Sequence, residues 1–218
     1  MSTTTVVLAD DHEIIREGLR SLLEKEPDIE VVGEASDGRT AVRLARDLSP
    51  HVVVMDISMP DLNGVDATRQ ILSRAPGTRV LALSMHSDRR FVARMLQAGA
   101  AGYLLKECAY GEFVQAVRAV AAGRTYLSPS IAGGIVETFV RQPDAEAPSA
   151  AAVLTPRQRE ILQLVAEGRS TKQIAAHLHV STKTVDTHRH EVMTKLGLHS
   201  VAELTKFAVR EGLTGLER

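Results

Sequence analysis

The sequence predicts an α/β chain: a doubly wound, five-stranded parallel sheet, followed by a separate small all-α helix-turn-helix domain. Three observations point there. Short apolar runs alternate with amphipathic segments five times over the first half. One run, Val52-Val53-Val54-Met55, is unbroken and ends on Asp56, as expected of a strand covered by helices on both faces. Beyond a polar stretch carrying Pro143 and Pro148, only helical spacing recurs.

Thr5-Val6-Val7-Leu8-Ala9 is the first strand and ends on Asp10-Asp11. His12 to Glu26 carries Ile15, Leu19 and Leu22 on one stripe, the spacing of a helix. Ile29 to Ala35 is a more mixed strand, hence nearer an edge. Gly38 to Leu48 is helical and stops at Ser49-Pro50, because a residue before proline disfavours the α region. After the Asp56 strand come an Asn63-Gly64 turn and a helix from Val65 to Arg74, ended by Pro76-Gly77. Arg79 to Ser84 is the fourth strand. Arg89 to Ala98 is the next helix, with Gly99 just past its end. Gly102 to Lys106 is the fifth strand, and Phe113 to Ala122 the fifth helix.

Composition narrows the class. The chain has 218 residues, enough for two modest domains, with 44% hydrophobic residues and only 3% aromatic, so its cores must be aliphatic. A formal net charge of -1 argues against polyanion binding by bulk charge. Cys108 is the single cysteine, which rules out an internal disulfide and fits a reducing compartment. Neither a signal-type N-terminus nor a bilayer-length apolar run is expected, so the expectation is a soluble, cytoplasmic protein with no membrane partner.

The strand ends carry the chemistry. Asp10 and Asp11, Asp56, Ser84 and Lys106 all fall at carboxyl ends, the edge where open α/β sheets bind ligands. Alone, Asp56 reads as a loop-capping aspartate. Three carboxylates together repel and call for a cation, and a hard divalent ion such as Mg²⁺ takes oxygen ligands of this kind. Metal, ammonium and hydroxyl are what a phosphoryl group requires, and a carboxylate can accept one as nucleophile.

With Leu8-Ala9-Asp10-Asp11-His12, Met55-Asp56-Ile57-Ser58-Met59-Pro60, Asn63-Gly64, Leu83-Ser84 and Gly102-Tyr103-Leu104-Leu105-Lys106, residues 5–125 resemble the receiver domain of bacterial response regulators. The resemblance implies a flavodoxin- or CheY-like sheet of order 2-1-3-4-5. It implies phosphorylation of Asp56 by a histidine kinase. Mg²⁺ would sit on Asp11, Asp56 and the Ser58 backbone carbonyl, with Asp10 in the outer shell. Ser84 and Lys106 would answer the phosphoryl group, and the Tyr103 ring would turn inward as Ser84 moves. One departure is Glu107, where many receivers have proline after the lysine. Ser58 and His86, two residues past Asp56 and Ser84, are expected to border the path of the hydrolytic water.

Pro129 to Arg141 has helical spacing, and Gln142 to Ala150 reads as a linker. Thr155-Pro156-Arg157-Gln158 opens a helix: Thr155 suits the N-cap, Pro156 the first position and Gln158 a capping box. That helix ends at Gly168. A short helix, Thr171 to Leu178, and a tight turn lead to a longer one, Thr182 to Leu196, closed by Gly197; a last helix runs from about Ser200 to Arg210. Two helices joined by a tight turn and braced by a third describe a helix-turn-helix, and spacing alone equally allows a generic helical bundle. Residues 153–218 carry ten Lys/Arg against seven Asp/Glu, which favours a nucleic-acid partner only weakly. Five of the eight histidines fall here without metal-ligand company.

Leu154 to Leu162, Gly168 to Ala175, Val180 to Arg189 and Lys195-Leu196-Gly197 resemble the LuxR-type helix-turn-helix of NarL/FixJ-type response regulators. In the helix from Thr182, Val185, Arg189, Val192 and Leu196 are expected to pack inward. Lys183, Asp186, Thr187 and His190 then face double-stranded DNA, Lys183 on phosphate and the other three on base edges.

The expected domains are residues 1–125, a connection over 126–152, and 153–218. The expected function is a two-component response regulator that dimerises when phosphorylated and controls transcription. The alternatives are a phosphatase working through a phosphoaspartate, or a protein-binding module without DNA contact. Phosphatases of the haloacid dehalogenase type carry a second Asp two residues after the nucleophile, where this chain has Ser58.

Overall fold

A computed structural model of the chain describes residues 3–85, 87–133 and 150–215. It divides into two compact units, Met1–Ala145 and Glu146–Arg218.

The first unit holds strands β1 (Thr4–Ala9), β2 (Ile29–Ala35), β3 (Val52–Asp56), β4 (Arg79–Ser84), β5 (Gly102–Leu105) and β6 (Tyr126–Leu127). All pair in parallel, in the order β2-β1-β3-β4-β5-β6. The expected five-strand order is present, and a sixth strand extends it. Gly123, at φ 80°, turns the chain after the helix that follows β5, and two residues then reach the free edge of β5, Gly102 opposite Tyr126 and Tyr103 opposite Leu127. A two-residue strand leaves no periodicity in the sequence. Residues expected to begin the connection at 126 therefore lie in the sheet.

Helices α1 (Glu13–Leu23), α2 (Gly38–Leu48), α3 (Gly64–Arg74), α4 (Arg89–Gln97) and α5 (Tyr110–Ala121) cover both faces. Alternate strand residues point to opposite faces. Val6, Leu8, Val52, Val54, Leu81 and Leu104 pack against Leu23 of α1 and Phe113 and Val117 of α5. Val7, Val53, Met55, Val80 and Ala82 pack against Ala41, Val65, Ile71 and Met95 of α2, α3 and α4. Burial on both faces explains the unbroken apolar runs. A further helix starts at Pro129; residues 134–149, with the remainder of the expected joining helix and linker, lie outside the described residues.

The second unit opens on a 3₁₀ turn, Ala150–Val153, followed by α6 (Pro156–Ala166), α7 (Thr171–Leu178), α8 (Thr182–Leu196) and α9 (Val201–Arg210). Capping boxes start three of these helices, through Thr155 and Gln158, Ser170 and Gln173, and Ser200 and Glu203. His179 ends α7 in the left-handed conformation, φ 54°, and Ser181 caps α8 two residues later. That tight reversal lets Ile174, Leu178, Val185 and Val192 meet Ile161, Leu164, Leu204 and Phe207 in one core. Among the described residues no helix is long and apolar enough to cross a membrane.

Candidate functional site

Parallel pairing brings every strand's carboxyl end to one edge. The registers set Ala9 beside Met55, Asp56 beside Leu83, and Ser84 beside Leu105. Asp10, Asp56 and Lys106 thereby converge. The Lys106 Nζ lies 2.6 Å from Asp10 Oδ2 and 3.3 Å from Asp56 Oδ2. Asp10 is 2% exposed, Asp56 4%, and the Lys106 side chain 6%. Backbone groups fix the carboxylates: Ile57 N–H donates to Asp56 Oδ1 at 2.7 Å, and His12 N–H to Asp10 Oδ1 at 2.9 Å.

Burial pushes the Asp56 carboxyl up from 3.8 to about 6. Lys106 opposes that shift, while the charges of Asp10 and Asp11 add to it. For Lys106, burial acts downward, but Asp56 and the hydrogen bond to Asp10 outweigh it and leave the ammonium above its ordinary value. The site therefore holds a stable cation beside a carboxylate that ionises just below neutrality.

Ligand atoms of Asp10, Asp11, His12 and Asp56 lie within 4.8 Å of one another. Three carboxylates facing one ammonium leave surplus negative charge, and their oxygens suit a hard divalent cation. Ser58, half-buried, follows at the mouth of the same loop. Ser84 is buried at the end of β4, and the Tyr103 ring is wholly buried with a side-chain hydrogen bond to it. Burial pushes the Tyr103 hydroxyl up to about 12. The ring sits inward in this structure, within the core cluster that holds Val92 and Met95. His86 lies outside the described residues.

Two contributors carry the resemblance in the sequence but were given no role at the site there. His12 places Nδ1 3.0 Å from Asp11 Oδ1 and 3.3 Å from Asp10 Oδ1; its position directly after the acidic pair was the available signal. Gly64 is the other. Expected in a turn, it is instead the first residue of α3, with Asn63 as N-cap accepting from Asp66 N–H at 3.0 Å. A Cβ at Gly64 would stand 2.0 Å from the Asp56 carbonyl oxygen, so only glycine lets α3 close against the end of β3.

In the second unit, Lys183, Asp186, Thr187 and His190 are all exposed on α8, opposite buried Val185 and Val192. Leu196 packs partly against the core as expected. Arg189 departs from the expected inward stripe: its side chain is half-exposed, and Nη2 lies 3.3 Å from Asp186 Oδ1. The reason is its length, since an arginine stem can follow apolar surface while its head turns to water. Asp186 Oδ1 also accepts from Thr171 Oγ1 at 3.4 Å, and Thr187 Oγ1 donates back to Lys183 O at 2.9 Å.

Residues 6–118 match the response regulator receiver domain, and residues 152–208 match the luxR family of bacterial regulatory proteins. The response regulator UvrY of Escherichia coli K12 is 38% identical over 212 residues, covering 97% of this chain and 96% of UvrY. The chain belongs to the NarL/FixJ family of response regulators. This response regulator is also similar to a solved LuxR-family two-component regulator from Aurantimonas sp. SI85-9A1, at 43% identity and TM-score 0.62, over 64% of this chain and 100% of that one. A solved complex of the response regulator RcsB with DNA matches at 27% identity and TM-score 0.59, over 94% of this chain and 98% of RcsB. The protein is a transcriptional response regulator, with a receiver followed by a LuxR-type DNA-binding domain, rather than a phosphatase or a module without DNA contact.

Proposed function

We propose that Asp56 is phosphorylated by a cognate histidine kinase, and that Asp10, Asp11, Asp56 and the Ser58 backbone carbonyl hold the Mg²⁺ required for that step. The phosphorylated chain then binds double-stranded DNA as a homodimer in the cytoplasm. The observation that carries the receiver reading is one ammonium set 2.6 and 3.3 Å from two nearly buried carboxylates. A bound Mg²⁺ supplies a Lewis acid that offsets the surplus carboxylate charge and draws in phosphoryl oxygens.

The ionised Asp56 carboxylate attacks phosphorus while the bond to the donor imidazole nitrogen breaks, and the leaving imidazole takes a proton from water. Ile57 N–H holds one Asp56 oxygen and leaves the other facing Lys106. Lys106 then balances the transferred charge, and the Ser84 hydroxyl donates to a phosphoryl oxygen. Since Tyr103 hydrogen-bonds Ser84, it responds to that movement. Its backbone carbonyl accepts from Ser128 N–H at 3.1 Å, and Ile131 packs in the same core cluster, so the movement has a path to the start of the connection.

In the second unit, Lys183 is assigned to phosphate, Thr187 and His190 to base edges, and Asp186 to base readout together with Arg189, with which it pairs at 3.3 Å. RcsB, solved with DNA, supports the partner, and RcsB dimers on DNA support the assembly. Labelling with acetyl phosphate and Mg²⁺ tests the receiver: Asp56→Asn should abolish it, and equal labelling of that variant overturns the assignment. A gel-shift salt series on duplex DNA tests the second unit, because binding through phosphates must weaken as salt rises.

A further inference from the structure

We infer that Gln158 is a positioning residue for DNA readout: its amide fixes α8, the recognition helix, against the start of α6. Gln158 is 3% exposed, and its side chain spans both helices. Nε2 donates to Glu191 Oε2 at 2.9 Å, while Oε1 accepts from Thr155 N–H at 3.0 Å and from Lys195 Nζ at 2.9 Å. The orientation of the amide follows from its partners. Turned over, its NH₂ would face two donors and its oxygen a carboxylate.

Glu191 and Lys195 are four residues apart on α8 and so share a face. One side chain of α6 engages both, and Lys195 also reaches Val153 O at 3.3 Å. Val185 and Val192 set how deep α8 sits in the core, but apolar contact is non-directional. The directional bonds to Glu191 and Lys195 fix its rotation and its position along its own axis. Glu191 carries a lowered carboxyl pKa, owed first to the Gln158 hydrogen bond and then to His188, so the bond is made to a carboxylate. A helix that reads bases with three or four side chains loses discrimination when it rotates slightly, although its charges still find phosphate.

Gln158→Glu tests this in the full-length protein, because it keeps size and both accepted bonds but sets a carboxylate against Glu191. The probes are a duplex selected by the wild-type protein from a random 20-base-pair pool and a scrambled duplex of equal length. Gln158→Glu should lower the ratio of selected to scrambled affinity about tenfold, the loss of one charge-assisted hydrogen bond. Binding to the scrambled duplex should hold. Glu191→Gln alone should stay near wild type, and Gln158→Glu with Glu191→Gln should restore the ratio, since the swapped pair re-forms the N–H to carboxylate bond. Gln158→Met, which removes the amide at similar volume, should lose the ratio with no rescue from Glu191→Gln. A purely structural role would lower the melting temperature and both affinities together. A Gln158→Glu protein that keeps the wild-type ratio, or a swap that fails to restore it, overturns the inference. A wild-type protein that selects no duplex instead removes the DNA assignment of α8 on which the inference rests.

Discussion

Replacing Asp56 with asparagine should stabilise the metal-free receiver at neutral pH while abolishing its phosphorylation. Burial, with Asp10 and Asp11 nearby, raises the Asp56 carboxyl from 3.8 to about 6 despite Lys106. Between those values the folded chain keeps a proton that the unfolded chain has lost. Stability therefore falls as pH rises through that window and is flat above it. The full difference is about 3 kcal/mol, and asparagine, neutral at every pH, does not incur it. Near pH 4 the variant should match the parent; at pH 8 in EDTA it should exceed it by up to about 3 kcal/mol, roughly 6–12 °C in melting temperature for a unit of this size. All three tyrosines, Tyr103, Tyr110 and Tyr126, lie in the first unit and the chain has no tryptophan, so tyrosine fluorescence follows that unit alone. Excess Mg²⁺ should raise the parent and leave the variant nearly unchanged. No gain at pH 8, or a gain of equal size at pH 4, would refute the electrostatic account of this site.

Lys106→Ala should still accept phosphate from acetyl phosphate but fail to dimerise, read by sedimentation with a beryllofluoride mimic. Because Lys106 lowers the Asp56 pKa, the pH at which labelling is half-maximal should move upward in that variant. Gly64→Ala must move either α3 or the end of β3, since its Cβ would lie 2.0 Å from the Asp56 carbonyl oxygen; urea unfolding should show a loss of about 3 kcal/mol, the upper end of the usual cost of overpacking. Asp186→Ala should relax preference at one base pair by roughly 1–3 kcal/mol in binding-site selection. Lys183→Ala should weaken all duplexes about equally and flatten the salt slope.

The sheet was legible because its strands are buried on both faces and leave continuous apolar runs, of which Val52 to Met55 is the plainest. The two-residue β6 was not, since its pairing is decided by the free edge of β5 rather than by local pattern. At the site, residue type and strand-end position together identified Asp10, Asp56, Ser84 and Lys106. Gly64 was read as half of a turn because an Asn-Gly pair signals one locally; its closeness to Asp56 depends on how α3 docks. The resting place of Tyr103 was equally hidden, since a rotamer answers to packing from α4 and β4. For Gln158, the capping-box spacing pointed to its bond with Thr155, whereas its partners Glu191 and Lys195 lie 33 and 37 residues along the chain.

The outer face of α8 shows how a partner from another helix changes the chemistry of a residue that spacing had placed correctly. Free on the surface, Asp186 would be an acceptor for cytosine N4. Its Oδ1 instead faces Thr171 Oγ1 at the start of α7 and the Arg189 guanidinium. A carboxylate so placed has less capacity left for a base and holds a guanidinium whose natural base partner is guanine, through O6 and N7. The two roles leave different marks in the same selection. If Asp186 reads a base directly, Asp186→Ala relaxes a cytosine preference and Arg189→Ala leaves that position intact. If Asp186 acts through Arg189, both variants relax one guanine position, and the double variant costs no more than either alone, the non-additivity expected of residues acting as one unit. Asp186 pairs with Arg189 at 3.3 Å and reaches Thr171 at 3.4 Å, so the second pattern is the expected one.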